Sequence, residues 1–160
     1  MSVSMGMEPI ALSAYRALVG QEIGVSRWFE IDQARVDRFA DVTEDWQYIH
    51  VDPVAAANSP LGGTIAHGYL TLSLLTPMAF DVLPSVAGAE MLVNYGMNSL
   101  RFLSPVPVGS RICGRFQFRS LERRGDRQWR SEFGVSVEIE GASAPALVAE
   151  WVTLTMMPPQ

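Results

Sequence analysis

Residues 68–83 constrain the fold more than any other stretch. They form the longest apolar run of the chain, interrupted only by Thr71, Ser73, Thr76, Pro77 and Asp81. A helix that is apolar on nearly all sides has no face to offer water, so the run predicts a buried central helix. Pro77 lacks an amide donor and crowds the carbonyl of Ser73, which predicts a kink or local break. Beyond residue 89 the pattern changes to period two, predicting strands over 90–102, 111–122, 128–140 and 146–156. The third is the clearest: Trp129, Ser131, Phe133, Val135, Val137 and Ile139 alternate with Arg130, Glu132, Gly134, Ser136, Glu138 and Glu140. The intervening stretches 105–109, 124–126 and 141–145 carry turn residues that suit hairpins. A long buried helix followed by meandering antiparallel strands predicts an α+β fold in which the sheet wraps around the helix.

The N-terminal half is less regular. Residues 10–18 read as a short helix ending at Gly20 with a packing role, preceded by a segment expected to be disordered. Residues 1–20 are thus expected to be an extension, and 21–157 a single domain. Alternation over 23–31, with Trp28 and Phe29, suggests a strand. Asp32 suits the cap of a helix whose Val36, Phe39 and Ala40 make one apolar stripe. Pro53 suits the first position of a helical turn over 53–58, and 59–63 form a loop.

At 160 residues with 48% hydrophobic composition, the chain fills one domain and its core. It shows neither a signal-peptide pattern nor an apolar stretch of the roughly 20 residues a membrane span needs, so a soluble, cytoplasmic protein is expected. Cys113 is the single cysteine, which excludes a disulfide framework and a cysteine metal cluster. A net charge of −5 argues against nucleic acid as a partner. The charge is unevenly placed, because all 12 basic residues are arginines and eight of them (101, 111, 115, 119, 123, 124, 127 and 130) fall within 30 residues. Two readings stand: a solvated strand face, since Arg115, Arg119 and Arg123 have the parity opposite to Phe116 and Phe118, or arginines that hold the phosphates of a nucleotide-tailed substrate.

The chemistry-bearing residues gather between 45 and 68. Asp45 and His50 are five apart around a turn-like segment, so both can converge on one bound water, as general acid–base work requires. An aspartate and a histidine in one loop also serve to satisfy local backbone groups. Gly68 opens the long apolar helix, where a free amide meets a ligand oxygen or where a glycine lets helix and sheet pack closely. His67 is read as a cap or loop anchor at the helix entrance rather than as a base. No metal is expected, since His50, Asp52 and His67 lack a standard ligand spacing.

The segment from Phe39 to His50, followed by Ile65-Ala66-His67-Gly68, resembles the MaoC-like dehydratase family, which includes (R)-specific enoyl-CoA hydratases. The likeness is greatest to its single-domain, nodulation protein N-like subgroup. It continues through Asn94-Tyr95-Gly96-Met97-Asn98, Arg101-Phe102 and 105–110, and so covers most of the chain from about Gly20 onward. The resemblance implies a hot dog fold, an antiparallel sheet wrapped around a central helix, assembled as a homodimer with acyl-CoA tunnels near the interface. It implies reversible addition of water to a trans-2-enoyl-CoA, giving a (3R)-3-hydroxyacyl-CoA, with no cofactor. Asp45 and His50 match the catalytic pair, and Gly68 matches the glycine whose amide binds the thioester oxygen. Thr76 falls where some relatives carry a supporting serine. Hydratase signatures often read Gly-Asp-x-Asn-Pro-x-His, whereas here Glu44, Gln47 and Tyr48 replace the glycine, asparagine and proline. Thioester hydrolysis on the same fold, and an acyl-CoA-binding module without turnover, are the competing expectations.

Overall fold

The computed structural model describes residues 7–159. The chain order is β1 (Met7–Ile10), α1 (Leu12–Ala17), β2 (Glu22–Val25), β3 (Phe29–Glu30), α2 (Gln33–Thr43), α3 (Tyr48–Val51), α4 (Pro53–Ala57), α5 (Gly68–Ser73), α6 (Leu75–Val82), β4 (Pro84–Val86), β5 (Met91–Phe102), β6 (Arg111–Arg124), β7 (Gln128–Ile139) and β8 (Leu147–Met156).

The alternating C-terminal half forms the sheet. Its strands run in the order β2-β6-β7-β8-β5, all antiparallel, with β3 also pairing β6. Period-two alternation sends every second side chain of β7 inward, and Ser131, Phe133, Val135, Val137 and Ile139 are buried. On this face Phe118 stacks on Phe133 at 4.7 Å, and Trp151 lies 6.0 Å from the Phe133 ring. Against it α6 lays Leu75, Met78, Ala79 and Val82. Removing the Leu75, Met78 and Val82 side chains from water contributes about 1.5–3 kcal/mol each. Gly114 allows the closest approach, because a Cβ there would stand 3.0 Å from the Met78 sulfur and 2.9 Å from the Phe116 ring. The result is the α+β, hot dog arrangement expected, with the sheet curled about the helix.

The central helix is broken in two, and α5 and α6 meet at Leu74. Pro77 has no N–H to give the Ser73 carbonyl, so the interruption falls about one turn before the proline. Two expectations are corrected. Of the segment expected to be disordered, Met7–Ile10 is a strand paired in parallel with β4, a short element that the sequence reading missed; residues 1–6 lie outside the described residues. The strand expected over 23–31 is two, β2 and β3, interrupted where the Arg27 amide and side chain both turn to Asp81. The short N-terminal helix packs as expected, with its Tyr15 buried in the core 4.9 Å from the Phe118 ring.

The arginine window resolves largely as a solvated strand face with cross-strand partners. Arg111 pairs with Glu140, Arg115 with Glu22 and Glu138, Arg119 with Glu150, Arg123 with Asp126, Arg127 with Glu90, and Arg130 with Glu122 and Glu132. The Arg111 guanidinium holds the Glu140 carboxyl below its usual range. Arg124 instead lies over the Tyr95 ring. Among the described residues, no helix is long and apolar enough to cross a membrane.

Candidate active site

Two short helices and one extended entry bring the site together. The Asp32 carboxylate caps α2 by accepting the Arg35 amide at 2.7 Å. The helix ends on Glu44 in the left-handed region (φ 60°, ψ 27°), and the Asp45 amide then returns to the Ala40 carbonyl at 3.2 Å. Glu44 is the position at which hydratase signatures place glycine, which adopts this conformation without a Cβ penalty. Tyr48 takes the first position of α3, a single turn that carries His50 inward. Asp52 is a cap, accepting the amides of Val54 and Ala55 at the start of α4.

His50 is 7% exposed. Its Nδ1 lies 2.7 Å from the Ile65 carbonyl; a carbonyl only accepts, so Nδ1 carries the hydrogen and Nε2 keeps its lone pair. Burial pushes the pKa of His50 below its ordinary value, against the hydrogen bond to Ile65, which raises it. His67 adds to the lowering and Asp45 opposes it. The ring is therefore neutral at neutral pH. The Asp45 side chain is half exposed, and the Gln47 backbone amide turns toward its Oδ1 at 3.4 Å.

His67 is 3% exposed and does not cap α5, whose first turn has no side-chain cap. The anchoring alternative is what the structure shows: Nε2 donates to the Asp45 carbonyl at 2.9 Å. Its ring stacks on His50 with centroids 3.7 Å apart and planes 25° apart, while Phe39 packs at 5.0 Å. His67 Nδ1 and, one turn on, Thr71 Oγ1 are buried without a partner.

Asp45, His50 and His67 offer donor atoms that all lie within 4.8 Å of one another. The set suits a shared proton better than a metal ion. His50 Nε2 and His67 Nδ1 keep lone pairs, but the stacked rings aim them along nearly parallel planes instead of at one centre.

Gly68 is the first residue of α5, so its amide has no partner within the helix. A Cβ there would stand 3.0 Å from the Phe102 ring, which makes close helix–sheet packing a sufficient reason for glycine at this position. Thr76 is placed apart from the pair. It receives a long hydrogen bond from Asn94 Nδ2 at 3.4 Å and lines a cavity of about 450 Å³ between α6, β4, β5 and β8, whose walls include none of Asp45, His50 and Gly68.

One residue that sequence reasoning passed over holds the site together. Gln33 Nε2 donates to the His50 carbonyl at 2.7 Å and to Asp37 at 2.8 Å, while its Oε1 accepts the Thr64 hydroxyl at 2.6 Å. Nothing in the local pattern distinguishes this glutamine from a solvated helix residue; its partners are 17 and 31 residues away.

The chain is 47% identical over 155 residues to Nodulation protein N of Rhizobium meliloti, covering 96% of each chain. It is 44% identical over 134 residues to 3-hydroxyacyl-thioester dehydratase Z of Mycobacterium tuberculosis, covering 84% of this chain and 88% of that one. Its backbone is similar to the solved (R)-hydratase of A. caviae involved in PHA biosynthesis, with a TM-score of 0.70 and 28% identity over 88% of this chain and 96% of that one. The family described as MaoC like domain matches residues 15–139, the stretch that holds Asp45, His50, His67 and Gly68. With this match across most of its length and relatives this similar, the chain belongs to the MaoC-like dehydratase family.

Proposed function

We propose that the protein is an (R)-specific enoyl-CoA hydratase, acting in the cytoplasm as a homodimer and adding water reversibly to trans-2-enoyl-CoA to give (3R)-3-hydroxyacyl-CoA. The observation that carries this reading is a neutral, buried His50 with Nε2 unprotonated, its ring within 4.8 Å of the half-exposed Asp45 carboxylate. A water with hydrogen bonds of about 2.8 Å to both groups spans ~4.6 Å at a tetrahedral angle, which falls within that limit. Its oxygen adds to the β-carbon. Between them the pair takes one proton from the water and returns one to the α-carbon, so no net charge is left on the protein. The Gly68 amide offers a hydrogen bond to the thioester oxygen as negative charge develops there. No cofactor takes part in any of these steps.

The acyl chain is assigned to the cavity beneath α6. Its 450 Å³ lies in the size range of small-molecule sites, and Thr76 on its wall is eight residues past Gly68, or about 12 Å along helical chain. A second copy is assigned to the outer edge of β5, where Met91, Leu92, Val93 and Tyr95 are exposed on a strand whose only partner among the described residues is β8. The thioester dehydratase named among the relatives supports the reaction class.

The test is hydration of crotonyl-CoA, followed by loss of enoyl absorbance, in wild type, Asp45→Asn and His50→Ala. Each substitution is expected to lower kcat by roughly 10² to 10⁴-fold in a folded protein. Wild-type turnover in both variants overturns the assignment. Release of free CoA thiol in place of hydration identifies a thioesterase, and tight acyl-CoA binding without turnover identifies a binding module.

A further inference from the structure

We infer that His67 is a positioning residue that fixes Asp45 and His50 relative to each other. The inference rests on the hydratase reading for its kinetic consequences, but its geometry stands independently.

The imidazole of His67 touches both members of the pair in different ways. Its Nε2–H holds the Asp45 carbonyl at 2.9 Å, which sets the backbone from which the carboxylate projects. Its face holds the His50 ring at 3.7 Å, which sets the direction of Nε2 together with the Ile65 carbonyl on the opposite nitrogen. Neither contact alone locks the pair, because Asp45 lies in a surface turn and His50 on a four-residue helix. Phe39 of α2 packs against His67 and Gly68 follows it, so the ring also ties the pair to the start of α5.

A purely packing role would be better filled by phenylalanine. Nδ1 is buried with no partner, and an unsatisfied buried acceptor costs free energy that a hydrocarbon ring of similar shape would not. What a phenylalanine lacks is the one donor that reaches Asp45. The chain thus carries an unpaired nitrogen in order to present the paired one.

Two variants separate the contacts. His67→Phe keeps the stack and removes the donor; His67→Gln removes the stack and keeps an amide donor of similar reach. With the full-length protein, kcat for crotonyl-CoA and the ¹⁵N imidazole resonances of His50 are measured, with KM and the thermal midpoint alongside. For His67→Phe we expect kcat to fall about 10- to 100-fold, the scale of a misplaced catalytic group, with KM within about twofold. His67→Gln, which loses the other contact, is expected to lower kcat on a similar scale. The His50 resonances are expected to lose their single Nδ1–H tautomer in the Gln variant, which lacks the stack, more than in the Phe variant. Wild-type kcat in either variant overturns the proposal, as do wild-type His50 resonances in the Gln variant. Should wild type itself hydrate no enoyl-CoA, the hydratase reading fails, and the ¹⁵N spectra decide the positioning role alone.

Discussion

Gln33 holds the backbone carbonyl of His50 at 2.7 Å while accepting the hydroxyl of Thr64 at 2.6 Å, so one α2 side chain ties both flanks of the site. Gln33→Leu leaves the buried Thr64 hydroxyl and the His50 carbonyl unpaired together. Leaving buried polar groups unsatisfied costs about 1–3 kcal/mol. A lower urea midpoint with unchanged slope and a fall in kcat are expected. An unchanged midpoint would show that water replaces the glutamine without cost.

The pH dependence follows from His50. Its folded pKa is lowered, first by burial, from an unfolded value of about 6.5. The acid limb of kcat/KM is therefore expected below the ordinary histidine range. For stability the sign is the same: the unfolded chain binds the proton first as pH falls, so the contribution of the neutral ring is complete above about pH 6.5. It is lost as pH falls through the folded value. Denaturation of wild type and His50→Gln across this window checks it, and an identical pH slope in the two proteins would remove His50 as the cause.

Tyr48 stands where hydratase signatures place proline, yet the backbone already has the shape that proline would impose. Gln47 is extended (φ −57°, ψ 135°), as a residue before proline must be, and Tyr48 occupies the first helical position, where an amide has no helical partner. The Tyr48 ring is half exposed, so little packing is lost. Tyr48→Pro is expected to stabilise the protein by about 0.4–1 kcal/mol through the unfolded chain and to leave kcat near wild type. A lower thermal midpoint would mean that the Tyr48 amide or ring carries weight in the fold.

Gly68 combines a packing role with the assigned amide role, and a double-mutant cycle separates them. Gly68→Ala drives a methyl to 3.0 Å from the Phe102 ring, an overpacking worth about 1–3 kcal/mol. Phe102→Ala in the same chain removes the clash, so stability is expected to recover by coupling. Hydratase activity is expected to stay low if a methyl beside the amide obstructs the thioester oxygen. Recovery of activity along with stability would leave packing as the whole role of Gly68.

The parts of this molecule written in local pattern were legible beforehand. The alternation of β7, the Asp32 cap and the Pro77 interruption each depend on neighbours within a few residues, and each lies where the sequence places it. β1 and β4 escaped because strands of four and three residues are too short to show a period, and their pairing joins residues more than 70 positions apart. The arginine partners could be anticipated in kind but not by name, since cross-strand register decides which carboxylate faces which guanidinium. Asp45, His50 and Gly68 were singled out as candidates by chemistry, spacing and the family resemblance, and the structure brings Asp45 and His50 together. Gln33 and the bond from His67 to Asp45 were not anticipated, because both are set by where α2 and α5 meet in space.

The outer edge of β5 has a consequence for how the protein unfolds. Twelve residues of strand with one flank unpaired among the described residues, several of them exposed and apolar, form a template for another chain, and edges of this kind are left uncovered at the risk of aggregation. If a second copy covers it, the cover is lost on dilution. The melting temperature is then expected to climb with protein concentration by mass action, and dilute samples should be the ones that cloud on heating.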